Sequence, residues 1–176
     1  MKKTSIIIVA IVMMAGLSTR VMAQNTATAN AGAKIVQAIS IVKNADLHFG
    51  TMSIPTGAVN VLLSTGNVRT ASVPANITLL AQAPTTTNAA YTVTGSVAAT
   101  YAITLPLNGV VTISSGANSM PVDDFVALTA STSGAATGSL GAGGSDSFVV
   151  GATLKLANAQ PAGVYTGTYD VSVAYN

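Results

Sequence analysis

The chain has 176 residues, 49% hydrophobic and only 7% charged, with one histidine and no cysteine or tryptophan. These counts exclude a Cys/His zinc site, a Ser/His/Asp triad, any disulfide and a lipid-modified cysteine anchor. An ordinary domain carries about 25% charged residues, so Ser, Thr, Asn, Ala and Gly must cover most of this surface. Such a skin has little charge repulsion and tolerates close packing against copies of itself.

Residues 1–23 read as a secretory signal peptide. Lys2 and Lys3 supply the positive start, Ile6 to Leu17 the apolar stretch, and Val21 and Ala23 the small-residue pattern ahead of Gln24. The apolar stretch is shorter than the roughly 20 residues a membrane span needs, and Arg20 interrupts its end. The expectation is export to the periplasm and then to the cell surface or the extracellular space, with no stable span after cleavage. Cleavage would leave Lys34, Lys43, Arg69 and Lys155 against Asp46, Asp123, Asp124, Asp146 and Asp170, a net charge of −1. Four scattered cations do not make a phosphate-binding surface, so nucleic acid is not an expected partner.

Residues 24–34 form a tract of small and polar side chains with little to bury, read as a flexible N-terminal extension. Residues 35–176 are read as one domain. Short apolar or alternating runs recur there: Ile35 to Val42, Asp46 to Phe49, Val59 to Leu63, Asn76 to Ala81, Tyr91 to Gly95, Tyr101 to Leu105, Val110 to Ser114, Phe125 to Thr129, Phe148 to Leu156 and Tyr165 to Tyr175. Glycine and proline punctuate them, which predicts an all-β antiparallel sandwich. Ser131 to Ser147 is rich in Gly, Ser and Ala and is expected to be a mobile loop.

Little in these runs points to chemistry. His48 alternates with Leu47 and Phe49 and is expected to face outward. Asp123 and Asp124 are adjacent, and neighbours on a strand point to opposite faces, which argues against a working carboxylate pair. Gly141 to Phe148 nearly matches a calcium-binding nonapeptide but occurs once, and that motif works by stacking tandem copies. No catalytic residue, cofactor or metal is expected.

The chain ends on GVYTGTYDVSVAYN, residues 163–176. Gly163, Tyr165, Gly167, Tyr169, Val171, Val173 and Tyr175 share one parity, while mostly Thr, Asp, Ser and Asn occupy the other. That alternation predicts a final strand with one buried face. The core is expected to include Leu47, Phe49, Tyr91, Val93, Ile103, Leu105, Phe125, Leu154, Tyr169, Val171 and Val173.

Several of these segments resemble an uncharacterised family of secreted bacterial Ig-like β-domains, related in style to fimbrial adhesins and spore coat protein U. They are Ile39-Ser40-Ile41, Leu47 to Gly50, Tyr91 to Gly95, Tyr101 to Pro106, Phe148 to Leu154 and Gln160 to Tyr169 with the closing Val173 to Asn176. The C-terminal strand also resembles that of chaperone–usher pilins, with Gly163 fourteenth from the end and Tyr175 penultimate. This likeness implies an Ig-like or pilin-like sandwich whose open edge is filled by a strand from another subunit. It implies a non-enzymatic fimbrial or surface-coat subunit, with copies of itself, other pilus or coat subunits and a periplasmic chaperone as partners. Gly163, Tyr165, Tyr169, Val171, Val173 and Tyr175 would form the assembly strand, and Ile35, Ile39 and Ile41, of one parity, a donor segment. The tract before Ile35 offers only alanines as apolar side chains. The alternative is a self-contained cell-surface module binding a glycan or protein ligand. A small outer-membrane barrel ranks third, because most runs fall short of the 9 to 11 residues a spanning strand needs.

Overall fold

The computed structural model describes residues 24–132 and 136–176. The expected signal peptide therefore lies outside the described residues, as do residues 133–135 of the expected loop. Residues 24–34 carry no strand and every one of their side chains is exposed.

The body, Ile35–Asn176, is all-β. Its strands are β1 (Ser40–Ala45), β2 (His48–Phe49), β3 (Val59–Leu63), β4 (Arg69–Ala71), β5 (Thr86–Thr87), β6 (Ala89–Thr94), β7 (Thr100–Thr104), β8 (Val111–Ser115), β9 (Asn118–Thr129), β10 (Thr137–Ser139), β11 (Ser145–Leu156) and β12 (Ser172–Tyr175). All the strand pairs are antiparallel. β11 is the spine, since it pairs with β6 and β3 along one edge and with β9 along the other, and β1, β4 and β8 extend this sheet outward. A second sheet runs β10-β7-β12, and β2 with β5 forms a short ribbon. The arrangement is the expected antiparallel sandwich.

The sheets close over two packed clusters. Tyr91, Val93, Phe148 and Val150 of the large sheet meet Tyr101 and Ile103 of the small one, with the Tyr91 and Phe148 rings stacked 5.0 Å apart. Val61, Leu63, Val111, Met120, Val122 and Leu154 build the other cluster. Leu47, Phe125 and Tyr169 touch both. Of the expected core, Leu47, Leu105, Phe125, Tyr169, Val171 and Val173 reach only half-burial.

β9 shows why part of its pattern is hidden in the sequence. Met120 and Val122 face inward at even positions, whereas Ala127 and Thr129 do so at odd ones. Between them Gly151 pairs with Val126 and Thr153 with Asp123, so β9 carries one extra residue. Asp124 supplies it, with φ 51°. A bulge of this kind switches the face a strand presents.

The two aspartates hold that bulge. Asp123, 4% exposed, accepts a hydrogen bond from the Gly109 N–H at 2.7 Å and pairs with Lys155 at 2.6 Å, while exposed Asp124 is bonded twice to Asn108 at 2.8 Å. The hydrogen bond from Lys155, and then that from Gly109, hold the Asp123 carboxyl below its usual range. A depressed folded pKa gives stability that is complete above the unfolded value of about 3.9 and lost as pH falls through the lower folded value. The melting-temperature gap between wild type and Asp123→Asn should therefore narrow below about pH 4. A gap constant down to strongly acidic pH would show that the ion pair contributes nothing.

Two expectations about loops and strands change. Ser131 to Ser147 is not one loop, because β10 lies within it, Leu140 is fully buried and β11 starts at Ser145. Asp146 ties this region down by accepting hydrogen bonds from Tyr101 at 2.9 Å and from Ser131. Residues 76–81 form no strand; the Met52–Leu79 bridge and single backbone hydrogen bonds such as Leu80 N–H to the Thr51 carbonyl, 3.0 Å, hold them beside residues 51–56.

Candidate assembly edge

The C-terminal segment keeps its predicted alternation but is not one continuous strand. Tyr165, Tyr169, Val171, Val173 and Tyr175 are half-buried and every even residue from Val164 to Asn176 is exposed. Only residues 172–175 form a strand, on β7, and Thr166 makes one bridge to Ser114 of β8. The segment thus leaves one sheet and joins the other. Its side chains follow this diagonal: Tyr165 packs on one cluster, Tyr169 on both, and Val171, Val173 and Tyr175 on the other.

Glycine permits the close approach at its start. A Cβ on Gly167 would stand 2.4 Å from the Thr112 carbonyl oxygen, and one on Gly163 would stand 2.6 Å from the Ser115 Oγ. Tyr165 Oη donates to the Pro161 carbonyl at 2.8 Å and accepts from Gln160 Nε2 at 3.0 Å. Tyr169 packs its ring on Phe125 at 5.0 Å, and burial pushes its phenol pKa upward.

At the other end Tyr175 is a clamp. Its hydroxyl accepts the Ser96 N–H and donates to the Gln37 carbonyl, both at 2.7 Å, and the Gln37 N–H returns to Ser96 Oγ at 2.8 Å. The lead into β1 is therefore fastened to the last strand of the same chain.

Among the described residues β12 has a strand neighbour on one side only, and so has β1. Asn176 N–H donates to the Thr100 carbonyl, which places the even residues of β12 in the hydrogen-bonded pairs with β7. In an antiparallel ladder the alternate residues then point their N–H and C=O away. Val173 and Tyr175 accordingly turn backbone groups to the free edge while their side chains lean inward.

The structure separates the expected donor residues. Ile41 pairs with Val93 on β1, and both Ile39 and Ile41 pack against the chain's own core. They are committed within the molecule, which leaves residues 24–36 as the free segment. There Ile35 is 96% exposed and Val36 49%.

His48 is exposed, as its alternation implies, and its Nδ1 accepts the Gly50 N–H at 2.8 Å. Among the described residues no three His, Cys, Asp or Glu side chains come together. No described helix is long and apolar enough to cross a membrane. Arg69, which the alternation does not single out, donates from its guanidinium to the carbonyls of Phe49, Thr51 and Leu80 at 2.7–2.8 Å. Gln160, which opens the last segment of the family resemblance, is buried beside Tyr165. No motif marks Arg69, and a cation in a chain with so few charges was the available signal.

No curated protein and no solved structure matches the chain. Residues 39–175 match the model of a family described as a domain of unknown function, DUF4402. That span begins where the resemblance does, at Ile39, while the finer connection to fimbrial adhesins and spore coat protein U receives no support from the comparisons. A match over most of its length means that the chain belongs to the DUF4402 family.

Proposed function

We propose that this protein is a non-enzymatic, exported structural subunit that joins copies of itself by β-strand addition along its C-terminal edge. The observation that carries the reading is the pairing of β12 on one side only, over residues whose inward side chains stay half-buried. An edge with free N–H and C=O groups is a template for another strand. Asp170 is the sole charged residue in Gly163 to Asn176, so little charge guards it. The free segment ending in Ile35 and Val36 supplies bulky apolar side chains for a neighbour.

Sedimentation velocity and negative-stain microscopy of the protein lacking its leader should show concentration-dependent association. Val173→Pro removes an outward N–H while leaving the β7 bonds in place, a position where proline is tolerated on an edge strand. That variant should stay folded and monomeric, as should a chain lacking residues 24–36. Wild-type protein that remains monomeric at high concentration would sink the proposal.

A further inference from the structure

The segments Phe49–Pro55 and Gln160–Tyr165 face each other across a cleft of about 380 Å³. The cleft reaches into the core, since buried Phe49, Met120, Leu154 and Leu156 line it. Its lining also includes Ile54 and Val164, which are 55% and 82% exposed.

Both walls are held in place. Arg69 gathers the Phe49 and Thr51 carbonyls on one side, where Ser53 N–H also donates to the Thr78 carbonyl at 2.9 Å. On the other side the Gln160–Tyr165–Pro161 bonds set the turn. Ala159 N–H ties the two walls together by donating to the Pro55 carbonyl at 3.0 Å. The opening is thus built into the fold.

Its chemistry narrows the occupant. Among the described residues no Lys, Arg, Asp or Glu lines it, and the one imidazole, exposed His48, has its Nδ1 taken up by the Gly50 N–H, so an ion would surrender most of its hydration for little compensation. The volume falls within the roughly 300–1,000 Å³ of small-molecule sites. Gln160, 8% exposed, is the buried polar group of the lining. Its Nε2 donates to Tyr165 Oη and, at 3.5 Å, to the Ser119 carbonyl, whereas no described residue donates to its Oε1. Among the described residues no fully buried side-chain oxygen lacks a partner, so this Oε1 keeps some exposure, and an acceptor in an apolar cleft calls for a donor.

We infer that the cleft binds a neutral, mainly apolar molecule ending in a hydroxyl or amide N–H, with that donor on Gln160 Oε1. The cleft takes Gly163, Val164 and Tyr165 from the C-terminal segment but no residue of β12, so its occupancy is read apart from strand addition at Ser172–Tyr175.

The probe is 1-decanol, titrated into the protein and followed by two-dimensional amide NMR. Saturable shifts are expected at Phe49–Pro55 and Gln160–Tyr165. A methyl ether of equal length, which cannot donate, should bind wild type about tenfold more weakly, as should decanoate, which carries a charge. Gln160→Leu should reduce the alcohol to the ether's affinity, and Ala162→Trp, at an exposed lining position, should block both. Equal binding of alcohol and ether to wild type would overturn the role of Gln160. Absent or non-saturable shifts would overturn the site, as would a peptide with alternating apolar residues that occupies the cleft when decanol does not.

Discussion

Replacing Tyr101 by alanine should destabilise the fold by about 3 to 5 kcal/mol, the range found for aromatic truncations in cores. Tyr101 is wholly buried in the middle strand of the small sheet, where its ring fills the space over Gly138, at which a Cβ would stand 2.4 Å from it. Its hydroxyl reaches Asp146, and burial first, then that bond, push the phenol pKa upward. The side chain therefore packs the core and fastens the start of β11 together. Tyr101→Phe keeps the packing and should cost only about 1.5 to 3 kcal/mol, the range for a hydrogen bond to a charged group. Chemical denaturation of the pair separates the two contributions. Equal losses would place all of the effect in the hydroxyl, contrary to the buried ring.

Arg69→Met should cost about 3 kcal/mol, because it withdraws charged donors from three carbonyls, each such bond being worth about 1.5 to 3 kcal/mol before water partly replaces it. No acidic side chain answers this guanidinium; the Phe49, Thr51 and Leu80 carbonyls do. Burial lowers its pKa, yet an arginine stays charged. Lysine is not a substitute here, since one ammonium lacks the fork that spans three oxygens. The same substitution loosens the Phe49–Thr51 wall, so decanol affinity should fall with stability. A denaturation midpoint unchanged by Arg69→Met would mean that water serves these carbonyls equally well.

The sequence by itself determined the class of fold and the face of the last segment. Val59 to Leu63 emerges as β3 with its expected bounds, and His48 and Phe49 fall on opposite faces, because a period of two is a local property of the pleated chain. The parity of Tyr165, Tyr169, Val171, Val173 and Tyr175 is legible for the same reason. Where alternation breaks, so does legibility: Asp124 inserts a bulge that flips β9, and β4, β5 and β10 are too short to show a period. Pairing is a different matter, because it depends on which distant segment arrives alongside. Only the tertiary structure decided that residues 163–176 cross from β8 to β7, that Ile39 and Ile41 are spent on the chain's own core, and that β12 keeps a free edge. It likewise decided that Arg69 and Gln160 matter, since a guanidinium shared among carbonyls and an amide oxygen left without a donor are relations between segments that lie far apart along the chain.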